Sequence, residues 1–324
     1  MHSQPIITFL IFVLALVVSF IISSFITRFI INYLRKHNRG QSERNFLESS
    51  LDKEGTPTMG GIAFIVSTIV TFSLFSINMK WDKTIYFYLF VSLGIAFIGF
   101  VDDYLKVKRR NYKGLKGTLR LLLEANIIIY GLLILSKDNY NVSLNLTSTY
   151  MYFGLFTVPF VIFVIVGGSN SFNLTDGIDG LAAGLYLIAL TPFLFIALVN
   201  GDYLLSLLIM CQEGAMLGFL RYNLHPAKIF MGDVGSLFLG ASISSLAIIE
   251  NKILVLMIAG LIIILETISV IIQVFYYKLT KKRVFLMTPI HHHFQKKGWP
   301  EWKIVLTFWI IGVMLAATSM IFGI

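Results

Sequence analysis

Charge and cysteine are what this sequence has least of. Only 13% of its 324 residues are Asp, Glu, Lys or Arg and 56% are hydrophobic, where a soluble protein of this size carries roughly 25% charged residues. Mean hydropathy is +0.80. That balance excludes a soluble globular enzyme, a disordered chain and a secreted disulfide scaffold; it describes an integral membrane protein. The single cysteine, Cys211, lies in an apolar run, so no intramolecular disulfide and no cysteine-based metal site can form. No Lys or Arg precedes the first apolar run, from about Ile6 to Leu34. It therefore lacks the basic start of a signal peptide, and its length crosses a roughly 30 Å hydrocarbon core. Low-complexity tracts, fixed-period repeats and connections long enough for a soluble domain are missing too, which leaves one polytopic domain over residues 1–324.

What is present is a succession of apolar runs. A window of about 19 residues gives ten helices near 6–34, 58–77, 84–101, 119–136, 151–168, 180–199, 203–222, 236–250, 253–278 and 303–324. The expected fold is thus an all-α integral membrane protein of about ten transmembrane helices. The eighth run is short for a crossing and the ninth long, which suits a bent or re-entrant arrangement there. Lys and Arg total 26 against 17 Asp and Glu, a net charge of +9, and the excess is one-sided. Arg35, Lys36, Arg39, Arg44 and Lys53 follow the first helix. Lys106, Lys108, Arg109, Arg110, Lys113, Lys116 and Arg120 flank the connection after the third. Lys278, Lys281, Lys282, Arg283, Lys296, Lys297 and Lys303 mark the last connection. The even-numbered connections offer only Lys80, Lys83, Lys137 and Lys252. Basic residues gather on the cytoplasmic side, so the odd connections are expected there and both termini outside.

Acids sit mostly in the same connections. Ionisable groups at membrane depth or at a helix end are expensive and mark function by default. Asp102-Asp103 closes the third run; adjacent carboxylates repel, which suits a proton acceptor or a cation between them, and a helix C-terminus disfavours them as mere decoration. Between the fifth and sixth runs lies Asn170-Ser171-Phe172-Asn173-Leu174-Thr175-Asp176-Gly177-Ile178-Asp179-Gly180. An Asx-turn needs one Asp; it does not need Asn173, Asp176 and Asp179 together, whereas the amides of a helix start there suit a phosphate. The terminal Glu of an EF-hand is missing. Asp233 stands between Gly232 and Gly235 in Phe230-Met231-Gly232-Asp233-Val234-Gly235-Ser236, where the backbone can approach a cation closely. His291, His292 and His293 are consecutive; helical neighbours point apart and there is no HExxH, so phosphate or sugar contacts suit them better than zinc. Gly55-Thr56-Pro57-Thr58-Met59-Gly60-Gly61, with Lys53 upstream, serves equally as a helix start with close packing or as a phosphate cradle. Glu266 and Gln273, seven apart on one face, suit a polar cavity or an interhelical hydrogen bond. Clustered acids without cysteine favour a hard cation such as Mg²⁺, and Mg²⁺ ringed by Lys and His suits pyrophosphate chemistry.

These motifs, spread over nearly the whole chain, resemble those of the polyprenyl-phosphate N-acetylhexosamine-1-phosphate transferases. The match covers Gly55 to Gly61, Asp102-Asp103-Tyr104-Leu105-Lys106, Asn173 to Gly180, Phe230 to Ser236 and Pro289-Ile290-His291-His292-His293-Phe294. The triple histidine followed by Lys297-Gly298-Trp299 is similar to the muramoyl-pentapeptide branch rather than the GlcNAc-phosphate branch. The resemblance implies a ten-helix enzyme of the bacterial inner membrane, usually a homodimer, with its active site on the cytoplasmic face. The implied reaction moves phospho-MurNAc-pentapeptide from UDP-MurNAc-pentapeptide to undecaprenyl phosphate, giving lipid I and UMP with Mg²⁺ in peptidoglycan synthesis. It implies Asp233 as the Mg²⁺ ligand and Asp102 and Asp103 as the paired catalytic aspartates. It further implies that Lys53, Thr58, Asn173, Asp176, Gly177, Asp179, Asn223, Phe230, Gln273, His291, His292 and His293 bind the donor. Arg221-Tyr222 replaces a frequent aromatic pair and Val234 a frequent Thr. The competing readings are a transferase using UDP-GlcNAc and a secondary transporter, whose acids would lie near the midplane in broken helices.

Overall fold

The computed structural model describes residues 5–36, 55–109, 114–135, 143–146, 149–152 and 154–323. They form α1 (Pro5–Lys36), α2 (Gly61–Phe75), α3 (Lys83–Arg109), α4 (Gly117–Leu135), a hairpin of β1 (Ser143–Leu146) and β2 (Thr149–Tyr152), α5 (Thr157–Thr175), α6 (Leu181–Val199), α7 (Tyr203–Asn223), α8 (Gly232–Ile249), α9 (Ile253–Ala259), α10 (Leu261–Thr280), α11 (Ile290–Lys296) and α12 (Glu301–Ile321). Among the described residues nine helices are long and apolar enough to cross a membrane, and α2 is a shorter apolar helix. Each of the ten expected runs has a helical counterpart. The ninth is divided at Gly260 into α9 and α10, which accounts for its excess length. The hairpin, with Ser143 opposite Tyr152 and Leu146 opposite Thr149, was not expected.

Three helix ends differ from the hydropathy reading, and each difference moves a polar residue. Run three continues to Arg109, so Asp102 and Asp103 are inside α3 rather than closing it. Run five starts at Thr157, after the hairpin, and continues to Thr175, so Asn170 and Asn173 are helical rather than in a connection. Run eight begins at Gly232, so Asp233 occupies the first turn of α8, where the helix dipole favours a negative charge. Hydropathy stops a helix at its first polar residue; backbone hydrogen bonding does not.

The most enclosed helix is α8, 83% buried over its apolar window. It packs between α3 and α5 and also touches α2. Small residues make this possible, because helices without a bulky side chain between them approach closely. Gly99 of α3 lies against the Asp233 backbone, Gly168 of α5 against Gly240, and Gly61 of α2 against Gly235, each without room for a Cβ. On the other side α7 packs on α1, α2 and α6, while α12 packs on α6 and α9. These contacts bring the first turn of α8, the last turns of α3, α5 and α7, and the starts of α4 and α12 to one end of the bundle.

Candidate active site

At that end a network of acids and cations centres on Asp233. Its Oδ1 accepts from Asn173 Nδ2 at 2.8 Å, its Oδ2 from Lys106 Nζ at 2.9 Å, and Arg120 Nη1 stands 3.6 Å from Oδ2. Lys106 also reaches Asp102 Oδ2 at 2.6 Å, one helical turn back, so a single ammonium ties two of the three predicted catalytic carboxylates together. Asp103 accepts from the Val234 amide at 3.0 Å, and a Cβ on Gly232 would collide with its carboxylate. Asp102 accepts from the Leu115 amide, and Gly114 beside it has no space for a side chain. Arg120 is pinned on its other sides by Glu124 Oε1, 3.5 Å from Nε, and by Asn170 Oδ1, which accepts from Nη2.

The glycine-rich segment before α2 builds the floor. Phe230 N–H donates to Pro57 O at 2.8 Å, Gly60 N–H to Phe230 O at 2.9 Å and Gly61 N–H to Met231 O at 2.9 Å. This short ladder fixes Phe230 and the approach to Asp233. Thr58 is buried there, its hydroxyl without a hydrogen-bond partner among the described residues, close to the same Gly232 that faces Asp103. Met59 takes a positive φ of 67° in this turn, an uncommon conformation for a side-chain-bearing residue. Lys53 lies outside the described residues.

The turn after α5 carries the next set of expected site residues. Asp176 follows the last residue of α5, Gly177 is exposed, and Gly180, at φ 78°, leads into α6. Buried Asp179 accepts from Ala227 N–H at 3.0 Å, and its Oδ2 lies 3.0 Å from His225 Nδ1. Glu301 Oε2 is 3.7 Å from the same nitrogen; Asp179, His225 and Glu301 offer ligand atoms within 4.8 Å of one another. Two carboxylates and an imidazole suit a transition metal, whereas the groups that meet Asp233 are nitrogen donors from Lys106, Arg120 and Asn173. Asn223 is spent on the backbone: its Oδ1 accepts from Gly180 N–H at 3.2 Å and its Nδ2 donates to Ile229 O at 3.0 Å. Gln273 is used in the same way, accepting from Val284 and Phe285 N–H at 3.0 Å each and donating to Phe285 O at 3.2 Å.

The three histidines take different partners, although the His291 and His292 rings meet edge to face with centroids 4.2 Å apart. His291 is buried against Glu266 and Gly177. His292 Nδ1 lies 2.6 Å from Gln295 Oε1, and Gln295 Nε2 donates to Glu301 Oε1 at 3.0 Å, joining α11 to α12. His293 Nδ1 accepts from Leu286 N–H at 3.1 Å; burial, helped by the Lys297 charge, holds its imidazole below the usual range. From sequence, Lys106 and Arg120 mark sidedness, Lys106 also within the matched Asp102–Lys106 run, and Asn170, His225, Ser236, Gln295 and Glu301 carry no assigned role. A usable signal existed for the first two: each is four residues from an acid on one helix, Asp102 and Glu124, a spacing that pairs opposite charges. Asn170, His225 and Ser236 meet Arg120, Asp179 and Asn173 across 50, 46 and 63 residues and left no local pattern; Gln295 meets His292 and Glu301 only three and six residues away.

Comparison with known proteins gives this geometry a family. The model of glycosyl transferase family 4 matches residues 85–251, and a phospho-N-acetylmuramoyl-pentapeptide-transferase signature matches residues 53–65. The phospho-N-acetylmuramoyl-pentapeptide-transferase of Thermodesulfovibrio yellowstonii is 44% identical over 296 residues, covering 85% of this chain and 81% of its own. That of Bacillus cytotoxicus is 42% identical over 296 residues, covering 90% and 91%; that of Staphylococcus aureus is 39% identical over 297 residues, covering 90% and 92%. With its carboxylates and glycine ladder inside the matched stretches and relatives 39–44% identical over most of its length, the chain belongs to the phospho-N-acetylmuramoyl-pentapeptide-transferase family.

Proposed function

We propose that the protein transfers phospho-MurNAc-pentapeptide from UDP-MurNAc-pentapeptide to undecaprenyl phosphate, releasing UMP and forming lipid I for peptidoglycan synthesis. The observation that carries this reading is the meeting of Asp102, Asp103 and Asp233 with Lys106 and Arg120 at one end of an apolar bundle. A soluble pyrophosphate donor and a membrane-anchored phosphate acceptor need their anions held together at the membrane boundary. The one-sided basic connections support a cytoplasmic position for this end and both termini outside, and the reading assigns the protein to the inner membrane of a bacterium. The homodimer implied by the resemblance belongs to this reading.

The donor set fits Mg²⁺. With Lys106 turned aside, the carboxylates it bridges, Asp102 and Asp233, would offer oxygen ligands, and the Thr58 hydroxyl beside Gly232 is buried without a hydrogen-bond partner among the described residues, the oxygen chemistry a hard cation takes. Asp233 is its proposed ligand; when bound, Mg²⁺ neutralises charge on the pyrophosphate. The chain's own groups do the rest. Asp102 or Asp103 prepares the attack on the β-phosphorus, by taking the proton of the lipid phosphate or by forming a covalent phospho-aspartate first. Lys106 and Arg120, now neutralising Asp233, are placed to turn toward the incoming phosphates. The turn from Asp176 to Asp179, Phe230 and the histidine helix border the space for the nucleotide and sugar.

Purified protein supplied with both substrates is expected to release UMP only with Mg²⁺, and to lose that activity as Asp233→Asn. Turnover of UDP-GlcNAc instead would keep the chemistry and overturn the donor. Solute uptake into proteoliposomes without UMP release would support the transporter.

A further inference from the structure

Helix α10 faces outward with Leu265, Ile268, Ile271, Ile272 and Phe275 exposed, yet its one acid, Glu266, is 0% exposed. A carboxylate in a spanning helix is costly unless partnered, and both oxygens of Glu266 are turned to one residue. Its Oε1 lies 3.2 Å from His291 Nδ1, and its Oε2 accepts a long hydrogen bond from His291 N–H at 3.4 Å. His291 is also 0% exposed. Its far nitrogen, Nε2, has no hydrogen-bond partner among the described residues and abuts Gly177 so closely that a Cβ there would fall on it. Two helical turns further along the same face, Gln273 holds the Val284 and Phe285 amides. One face of α10 therefore anchors the segment that carries the histidines at both of its ends.

We propose that Glu266 is a positioning residue for the transfer reaction. By accepting from Nδ1–H of His291 it fixes the ring, so that Nε2 supports the Asp176–Gly177 turn from beneath and keeps it in register with Asn173 and Asp233. A neutral imidazole carries its proton on one nitrogen, and the partner of that nitrogen decides which. With Nδ1–H directed at Glu266, Nε2 is the acceptor. The Nδ1 to Oε1 contact has ion-pair distance without the angle of a formed hydrogen bond; contacts of this kind tighten when substrate closes a site. The ring is also packed against His292, with centroids 4.2 Å apart; removing the carboxylate leaves Nδ1–H without its acceptor, so the tautomer is no longer fixed and the turn loses its support. The cost falls on alignment in the transition state rather than on donor binding.

This inference rests on the proposed reaction, and its test separates the two. UMP release is measured for the native protein and for Glu266→Leu, Glu266→Gln, His291→Asn and the double variant Glu266→Leu/His291→Asn, each on folded material from size-exclusion chromatography. For Glu266→Leu, kcat is expected to fall at least about tenfold, with the donor KM within about threefold. Glu266→Gln, which keeps one acceptor, recovers part of the loss. The double variant is no slower than His291→Asn, because the two residues act as one unit. In ¹⁵N-histidine-labelled protein, the signal missing from His291→Asn is expected to show the Nδ1–H tautomer in native protein and a mixture in Glu266→Leu. A Glu266→Leu kcat within about twofold of native, or losses that multiply in the double variant, would overturn the proposal. Native protein that fails to turn over the donor overturns the reaction instead, and the tautomer signal still decides whether Glu266 sets the ring.

Discussion

At Asp233 one carboxylate faces Lys106 at 2.9 Å, Asn173 at 2.8 Å and Arg120 at 3.6 Å, so its charge compensates two cations while its geometry holds the last turns of α5. Asparagine keeps the shape and removes the charge. Asp233→Asn is expected to lower UMP release at least about a hundredfold, as loss of one electrostatic group in a closed site does, while circular dichroism shows the helices intact. Asn223 was expected to bind substrate, but its carboxamide bridges Gly180 and Ile229 in a buried position. Asn223→Ala leaves a buried amide and a buried carbonyl unpaired. A loss of about 1–3 kcal/mol in stability is expected, read as a lower melting temperature in detergent.

The elements carry constraints that no single site residue shows. Because Gly99 of α3 touches the Asp233 backbone, Gly99→Ala must push α8 away from α3 or strain both. Overpacking of this kind costs about 1–3 kcal/mol, and melting temperature and kcat are expected to fall together. At the opposite end of α8, burial, together with the charge of Asp202, lifts Glu250 to about 7 from its ordinary 4.5. Between those values the folded state keeps a proton that the unfolded state releases. Stability from this group is therefore full below about pH 4.5 and is lost as pH rises toward 7. Glu250→Gln removes the dependence, so its melting temperature is expected to exceed the native value above pH 7, with the gap closing toward pH 4.5; a pH series of thermal melts checks this.

For the whole molecule, sidedness is the open consequence of charge. Cys211 is buried, so native protein should stay dark to an impermeant maleimide. In intact spheroplasts Lys80→Cys is expected to label and Lys282→Cys only after permeabilisation; the reverse result would invert the topology. Much of this molecule was legible in its sequence. Ten apolar runs, the concentration of Asp102, Asp103, Asp176, Asp179 and Asp233 in or beside one set of connections, and the motifs shared with the transferase family are properties of neighbouring residues. A hydrocarbon core selects for length and hydropathy along the chain, so the succession of apolar helices and the membrane class followed from local pattern alone. The tertiary structure decided what each polar side chain does. Asn223 and Gln273 hold the backbone, Lys106 and Arg120 meet Asp233 as well as marking a side, and Glu266 finds His291 across 25 residues. A buried polar group must be paired, and its partner is chosen by how α3, α5, α8 and α10 pack, which is written in no stretch of sequence short enough to read by itself.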